Sequence, residues 1–181
     1  MGSAPVAGEI AFRPVTEADL PLLRAWMAQP HWRRWWGDPD TEIGYVEDML
    51  AGRDGTRPFL IECCGEPVGY IQAWSVAEAR VEPWLTKAPW LAHLPDDAVG
   101  VDLSIGPEAL LSQGIGAAAL RAFVARLRGE GHDHIVIDPA SSNARARRAY
   151  EKAGFRPIPE LLGRTADSLL MRHDPQKKAH A

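Results

Sequence analysis

One stretch of the chain joins a strictly alternating strand to a glycine turn and an amphipathic helix. Residues 99–105 read VGVDLSI, so the branched apolar side chains fall on one face, while glycine, aspartate and serine fall on the other. The turn Gly114-Ile115-Gly116 follows, and apolar residues then recur at helical spacing up to Gly129. Glycines at such a turn let backbone amides approach an anion at the start of the helix. The stretch therefore predicts a phosphate-sized anion site, with Asp102 beside it on the strand.

A second stretch, residues 137–155 (IDPASSNARARRAYEKAGF), predicts a short strand, a turn and a short helix that ends before Gly154. Asn143 occupies the N-cap position, and Tyr150 lies seven residues later, near the same face of the helix. A side-chain amide, a phenol and several arginines, among them Arg147, suit a long phosphorylated ligand. The alternative is a basic surface helix with a half-buried tyrosine.

Apolar periodicity over the rest of the chain predicts one α/β (α+β) domain, with a mixed twisted sheet of about six or seven strands flanked by helices. Pro30 is expected to end the first helix. The predicted strands cover residues 9–15, 57–64, 66–74, 99–105, 134–138, 155–162 and 164–172, and the predicted helices cover 17–28, 40–50, a segment that starts at the Gly114 turn, and 144–153.

The length of 181 residues and the 46% hydrophobic composition suit a single globular unit, which we place at residues 9–172. Residues 1–8 and 173–181 are expected to be flexible ends. Between residues 75 and 98, three prolines and two tryptophans interrupt the periodicity. A connection of this length usually has a function, so we expect a substrate-side insertion that acts as a lid. The alternative is a surface insertion packed by its own indoles.

Three of the seven tryptophans, Trp32, Trp35 and Trp36, lie within five positions of one another. They either anchor a short helix in the core or form a wall for a cationic substrate. The second interpretation follows from the acidic residues close by, such as Asp38, because flat aromatic faces beside carboxylates attract cations. The sequence leaves both interpretations open.

The formal net charge of −4 argues against a nucleic-acid partner and leaves a small cationic substrate possible. The sequence contains no apolar run of membrane-spanning length and no signal-peptide pattern, so we expect a cytoplasmic protein without a membrane partner. The adjacent Cys63 and Cys64 point to opposite faces of a strand and are not expected to form a disulfide. The six histidines show no metal-ligand spacing, so no metal is expected. We expect a monomer or a homodimer.

The segments SQGIGAAAL (residues 112–120) and DPASSNARARRAYEKAGF (residues 138–155) resemble the acyl-CoA site of the GNAT superfamily of N-acyltransferases. The resemblance implies that acetyl-CoA binds at a splay after the central strand. One position departs from the superfamily pattern, because Leu111 stands where Arg or Gln is usual. By resemblance, the CoA pyrophosphate is contacted by Gln113, Gly114, Ile115, Gly116 and Ala117. The pantetheine arm pairs with Leu103, Ser104 and Ile105. The second motif binds the cofactor through Asn143, Arg147 and Tyr150, and Tyr150 lies at the CoA thiolate.

Within the superfamily, the chain is most similar to the aminoglycoside 6′-N-acetyltransferases. The similarity rests on WMAQPHWRRWWGD, GEPVGYIQAW, GVDLSIG and DPASSN, which occur in this order. It implies that Asp102 and Asp138 lie at the acceptor amine, and that Trp35 and Trp36 help to line an open cleft for a cationic substrate.

Acyl transfer to an amine needs a neutral nucleophile, and a primary amine is mostly protonated near neutral pH. A carboxylate such as Asp102 can position the amine and take its proton, and Tyr150 can protonate the leaving thiolate. Backbone amides of residues 103–105 can polarise the thioester carbonyl, so direct attack in a ternary complex needs no acyl-enzyme. Alternatives are an acyltransferase for another amine, of the siderophore hydroxylysine type or of a protein or peptide, or a CoA-binding module without activity.

Overall fold

A computed structural model describes residues 9–174. It confirms the predicted α/β class, with one mixed sheet of seven strands in the order β1-β2-β3-β4-β5-β7-β6. The strands are β1 (Ile10–Pro14), β2 (Arg57–Cys63), β3 (Glu66–Ser75), β4 (Val99–Ile105), β5 (Ile135–Ile137), β6 (Phe155–Pro157) and β7 (Met171–His173). The helices are α1 (Leu20–Met27), α2 (Pro30–Trp36), α3 (Pro39–Leu50), α4 (Val76–Ala79), α5 (Trp84–Lys87), α6 (Ile115–Gly129) and α7 (Ala144–Lys152).

The described chain divides into two compact units. Residues 9–73 and 102–119 form the first unit, and residues 74–101 and 120–174 form the second. The units alternate along the sequence, and the assignment of residues 9–172 to one domain stays a prediction. Residues 1–8 and most of the predicted C-terminal tail lie outside the described residues, but His173 belongs to β7 and not to a tail.

In the first unit, β1, β2 and β3 form an antiparallel sheet, with Ile10 opposite Cys63 and Phe59 opposite Ile71. Helices α1, α2 and α3 cover it. Helix α1 ends before Pro30, as predicted, and Pro30 then begins α2, because a proline in the first turn of a helix loses no intrahelical hydrogen bond. The buried core of this unit consists of Val15, Leu23, Trp26, Met27, Trp32, Ile43, Val46, Leu60 and Tyr70.

The first three residues of β4 belong to the second unit and its remaining residues to the first. In the second unit, this first part of β4 is parallel to β5, with Val99 opposite Ile135 and Gly100 opposite Val136. Strand β7 pairs antiparallel with both β5 and β6. The predicted strand over residues 164–172 is wrong except at its end, because the backbone turns there. Ser168 N donates to Thr165 O within this turn, and beyond the turn Ser168 forms only an isolated antiparallel bridge with Ala140, next to a bond from Leu169 N to Pro139 O. Likewise, the predicted strand 155–162 ends at Pro157, and a 3-10 turn follows at Pro159–Leu161.

The segment between β3 and β4 contains α4, α5 and a 3-10 turn at Pro89–His93. Its two tryptophans differ in environment. Trp90 is 5% exposed in the core cluster of the second unit, whereas Trp84 is 38% exposed with the Lys87 ammonium 5.0 Å from its ring centre. The segment is therefore anchored by one of its own indoles, as the surface-insertion alternative expected, and its role at a substrate stays a prediction.

The start of α1 depends on a buried carboxylate. Asp19 receives two hydrogen bonds of 2.9 Å from the Arg13 guanidinium and one of 2.8 Å from the backbone amide of Thr16. Thr16 Oγ1 donates a further bond of 2.9 Å. The Arg13 guanidinium, assisted by Thr16, lowers the pKa of Asp19 to about 2, so the carboxylate stays charged and ties β1 to the helix start.

Asp19→Asn is expected to lower the free energy of unfolding by roughly 2 kcal/mol at neutral pH, because it breaks a bidentate, charge-assisted pair at a buried position. A carboxyl whose pKa is lowered on folding stabilises the fold above its unfolded pKa, near 3.8, and loses that effect as the pH falls toward 2. The difference between the two proteins in urea unfolding should therefore shrink on acidification. Asp48→Asn, at an exposed pair with Arg53, is the control and should cost less than about 0.5 kcal/mol.

Candidate active site

Asp102 lies on β4 in the first unit, and a hydrogen-bond chain from β3 reaches it. Gln72 Nε2 donates to Asp102 Oδ2 over 2.9 Å, and Tyr70 Oη donates to Gln72 Oε1 over 2.6 Å. Asp102 and Ser104 are half-buried, while Val101, Leu103 and Ile105 are buried, as the alternating pattern predicted. The strand therefore keeps its apolar face in the core and presents the carboxylate on the other face.

The tryptophan-rich segment forms α2, and its indoles have different roles. Trp32 is fully buried, and its ring centre lies 5.4 Å from that of Trp36 and 6.3 Å from that of Tyr70. Trp36 is half-buried and meets Tyr70 edge to face at 5.9 Å. Trp35 is half-buried, with the Arg34 guanidinium 4.8 Å from its ring centre. Trp32 thus fits the core interpretation, and Trp36 links α2 to the hydrogen-bond chain.

Acidic groups surround Asp102 in the first unit. Burial, together with the charges of Asp102 and Asp38, raises the pKa of Glu42 on α3 to about 7. Asp38 caps α3 by accepting a 3.0 Å hydrogen bond from Thr41 N, and this bond lowers the pKa of Asp38. Burial is the largest cause of the raised pKa of Glu42, and the smaller contributions of Asp102 and Asp38 show that like charges lie close to it, an arrangement that favours a cationic ligand.

The predicted glycine turn also lies in the first unit. Ser112 and Gly114 have positive φ angles of 63° and 82°, and α6 begins directly after them. A helix start of this kind presents backbone amides that have no partner within the helix, as an anion site requires. The Gln113 side chain donates to Ala109 O over 2.6 Å, so here it holds the turn together. Leu111 is half-buried and apolar, so its side chain offers no charge or hydrogen bond to an anion, and anion binding by the backbone amides of this turn stays a prediction.

The second predicted motif lies in the second unit. Asn143 Oδ1 accepts a 3.1 Å hydrogen bond from Ala146 N and so caps α7. Arg147 Nη1 donates to Ser141 O over 3.1 Å, in the turn before the helix. Tyr150 is 8% exposed, and Asp138 is half-buried just after β5. These residues support the predicted helix and turn, and their roles at a ligand stay predictions.

A cavity of about 460 Å³ in the second unit contains none of the predicted site residues. Its walls combine aliphatic residues of β5 with histidines and arginines. Among residues 9–174, no group of three or more His, Cys, Asp and Glu side chains is placed to hold a metal ion. Over the same residues, every helix is too short or too polar to cross a membrane.

The structure brings Asp102 together with three residues that were not predicted as site residues: Tyr70, Gln72 and Glu42. The sequence indicated the strand and the acidic segment that contain these residues, but it did not place them beside Asp102. Tyr70 and Gln72 alternate on one face of a predicted strand, and Glu42 belongs to the acidic group after the tryptophans. Gln72 on that face binds Asp102, which lies 30 positions later in the sequence. Hydrophobic periodicity predicts single strands and does not show which distant residues meet in the folded sheet.

The fold and these motifs define an acyltransferase of the acetyl-CoA class, and the comparison with known families agrees. The Acetyltransferase (GNAT) domain model matches residues 15–162. The chain belongs to this family and is an acetyltransferase.

Two curated proteins have sequences similar to that of this chain. Aminoglycoside N(6′)-acetyltransferase type 1 of Klebsiella pneumoniae is 32% identical over 154 residues, which cover 81% of this chain and 73% of that protein. A kanamycin resistance protein of Rhizobium radiobacter is 38% identical over 73 residues, which cover 39% of this chain and 68% of that protein.

Solved structures extend the similarity to almost the whole chain. AAC(6′)-Ib in complex with paromomycin and acetyl-CoA has a TM-score of 0.78 and 25% identity, covering 96% of this chain and 99% of that one. AAC(6′)-Ib in complex with coenzyme A and kanamycin has a TM-score of 0.76 and 27% identity, covering 93% and 96%.

Glu42→Gln is expected to remove a pH dependence of stability. A carboxyl whose pKa is raised from 4.5 to about 7 on folding favours the fold below pH 4.5, and this effect is lost as the pH rises toward 7. The wild type should therefore lose roughly 1–2 kcal/mol over this window, less than the full shift implies because the side chain is partly exposed.

Urea unfolding of wild type and variant at pH about 5 and about 8 measures this difference. Glu47→Gln, at an exposed position on the same helix, is the matched control and should follow the wild type. Equal pH dependence in the wild type and Glu42→Gln would show that Glu42 titrates normally.

Proposed function

We propose that the protein transfers the acetyl group of acetyl-CoA to the 6′-amine of an aminoglycoside, by direct attack in a ternary complex. The observation that carries the proposal is the Asp102 carboxylate, held by Gln72 in an acidic and aromatic part of the first unit. The 32% identity to an aminoglycoside N(6′)-acetyltransferase and the likeness to AAC(6′)-Ib support the choice of acceptor.

The acidic surroundings suit a substrate with several ammonium groups. An aminoglycoside carries such groups, and carboxylates near them lower the free energy of the bound cation. The reacting amine must lose a proton before or during attack on the thioester carbonyl. Asp102 is the group that we assign to hold this amine and accept its proton. Asp138, Trp35 and Trp36 are assigned to the acceptor as well, by resemblance.

The donor is assigned to the two motifs. Backbone amides of residues 113–117 at the start of α6 bind the pyrophosphate. Beyond Gly100, its last residue in the ladder with β5, β4 continues through Leu103, Ser104 and Ile105, whose backbone groups are assigned to pair with the pantetheine arm. Their amides polarise the thioester carbonyl, and the charge that develops on its oxygen is stabilised there.

The acetyl-CoA site is completed by three residues of the second motif, Asn143, Arg147 and Tyr150. Because Asn143 Oδ1 already caps α7, the side-chain amide has only its N–H groups left to offer, and these suit a pantetheine carbonyl. Tyr150 is placed as the acid that protonates the CoA thiolate when the C–S bond breaks. Arg147 is assigned to contact the cofactor on the basis of the resemblance alone.

A matched pair of substrates tests the acceptor. Neomycin and paromomycin differ in the 6′ group, which is an amine in neomycin and a hydroxyl in paromomycin. We expect thiol release from acetyl-CoA with neomycin and not with paromomycin, and Asp102→Asn should lower kcat with neomycin by about 100-fold or more.

Three results would overturn this proposal. Equal turnover of the two aminoglycosides would exclude the 6′ position, and turnover of only peptide amines or hydroxylysine would exclude aminoglycosides. Full activity of the Asp102→Asn variant would show that Asp102 is not the proton acceptor. Binding of acetyl-CoA, measured by calorimetry, should remain in that variant.

Substitutions at Asn143 separate cofactor binding from helix capping. Ser at an N-cap accepts the same backbone hydrogen bond, so Asn143→Ser should unfold at nearly the wild-type urea concentration, whereas Asn143→Ala should lose about 1 kcal/mol. Both variants lack the amide donors, so both should raise the KM for acetyl-CoA to a similar degree. If Asn143→Ser binds acetyl-CoA as the wild type does, Asn143 is only a cap.

A further inference from the structure

Tyr70, Gln72 and Asp102 form a chain in which each bond fixes the next. Tyr70 and Gln72 are two positions apart on β3 and so share one face of the strand. The Tyr70 Oη to Gln72 Oε1 distance is 2.6 Å, and the Gln72 Nε2 to Asp102 Oδ2 distance is 2.9 Å. Both lie within the normal range for hydrogen bonds, so the chain is continuous from phenol to carboxylate.

The direction of the protons in this chain follows from the chemistry of the three groups. Burial, with the charges of Asp102, Glu42 and Asp54, raises the pKa of Tyr70 well above its ordinary value, so the phenol keeps its proton. An amide oxygen only accepts, which makes Tyr70 the donor and Gln72 Oε1 the acceptor. The amide nitrogen then faces the carboxylate.

The opposite orientation of the Gln72 amide is unfavourable. It would place Oε1 2.9 Å from Asp102 Oδ2, two acceptor oxygens with no proton between them. The Tyr70 proton would then be left with Met49 Sδ at 3.7 Å, a weak acceptor. The phenol therefore selects the amide orientation that donates to Asp102.

Tyr70 can do this because its ring cannot move. The residue is 0% exposed, and its ring packs against Trp32 and Trp36 of α2. Edge-to-face and tilted aromatic contacts at these distances hold a ring in one orientation. The position of the phenol oxygen is thus set by the core of the first unit.

We propose that Tyr70 and Gln72 are positioning residues for the Asp102 carboxylate: the buried phenol orients the Gln72 amide, and the amide holds the carboxylate in the rotamer that receives the acceptor amine. This inference rests on the role of Asp102 in the proposed function. It gives Trp32 and Trp36 a part in the reaction that acts through Tyr70, in addition to the acceptor contact assigned to Trp36 by resemblance.

A double-mutant cycle tests the inference. Tyr70→Phe keeps the ring in the aromatic cluster and removes only the hydroxyl, and we expect it to lower kcat for the amine by about 10-fold, with the KM for acetyl-CoA unchanged. Gln72→Ala should lower kcat at least as much. In the Gln72→Ala protein, adding Tyr70→Phe should cost less than about 2-fold, because the phenol acts through the amide.

Met49→Leu is the matched control. It removes the weaker sulfur contact of the same phenol and keeps a side chain of similar volume, so kcat should stay within about 2-fold of the wild type. Thermal unfolding of each variant shows whether a loss of kcat follows a loss of stability.

The inference is overturned if Tyr70→Phe keeps the wild-type kcat, or if Tyr70→Phe costs the same with and without Gln72. Asp102→Asn, assayed in parallel, separates this outcome from failure of the proposed function. If Asp102→Asn abolishes turnover while Tyr70→Phe does not change it, only the positioning role is wrong. If Asp102→Asn leaves turnover intact, the proposed function itself is wrong.

Discussion

The position of Asp102 on β4 depends on tight packing at two glycines, Gly100 within the strand and Gly106 directly after it, each of which lies under an indole. A Cβ at Gly100 would come within 2.0 Å of ring carbons of Trp74, and a Cβ at Gly106 within 2.2 Å of Trp26. Carbon atoms cannot approach so closely, so only glycine allows these indoles to lie against the strand. The buried Val101 and Leu103 hold the opposite face. Asp102 is therefore a polar residue on a strand whose neighbours leave it little freedom to shift.

Much of the fold follows from local sequence. Strand β4 was predicted with its observed bounds, because strict alternation over seven residues fits only a strand with one buried face. The glycine turn before α6 and the N-cap of α7 were also predicted, since φ angles and capping have specific residue requirements. Helix α1 ends before Pro30, as predicted, and the same proline then begins α2. An error lies at residues 164–170, where a turn and an isolated bridge replace the predicted strand because strand propensity alone does not secure a pairing partner.

The candidate site was predictable only in part, for a physical reason. Asp102, Asn143 and Tyr150 stand in short motifs whose residue types and spacing carry the resemblance. Tyr70 and Gln72 lie in the similar segment GEPVGYIQAW, but that segment does not assign them a role, and their connection to Asp102 comes from hydrogen bonds that form only in the folded chain. Glu42 shows the same limit, since its raised pKa arises from burial and from charges distant in sequence. Groups that act through a tertiary contact leave little trace in local sequence.

The contact of Trp32 and Trp36 with Tyr70 has a consequence for how this protein can vary over generations. In most domains, a change in the core is filtered by whether the chain still folds, and a change in the site by whether it still works. Under the proposed positioning role, a substitution at a buried indole affects the Asp102 carboxylate through one phenol and one amide. On that proposal, selection on turnover extends into the core, and the tryptophan cluster is selected both for folding and for activity.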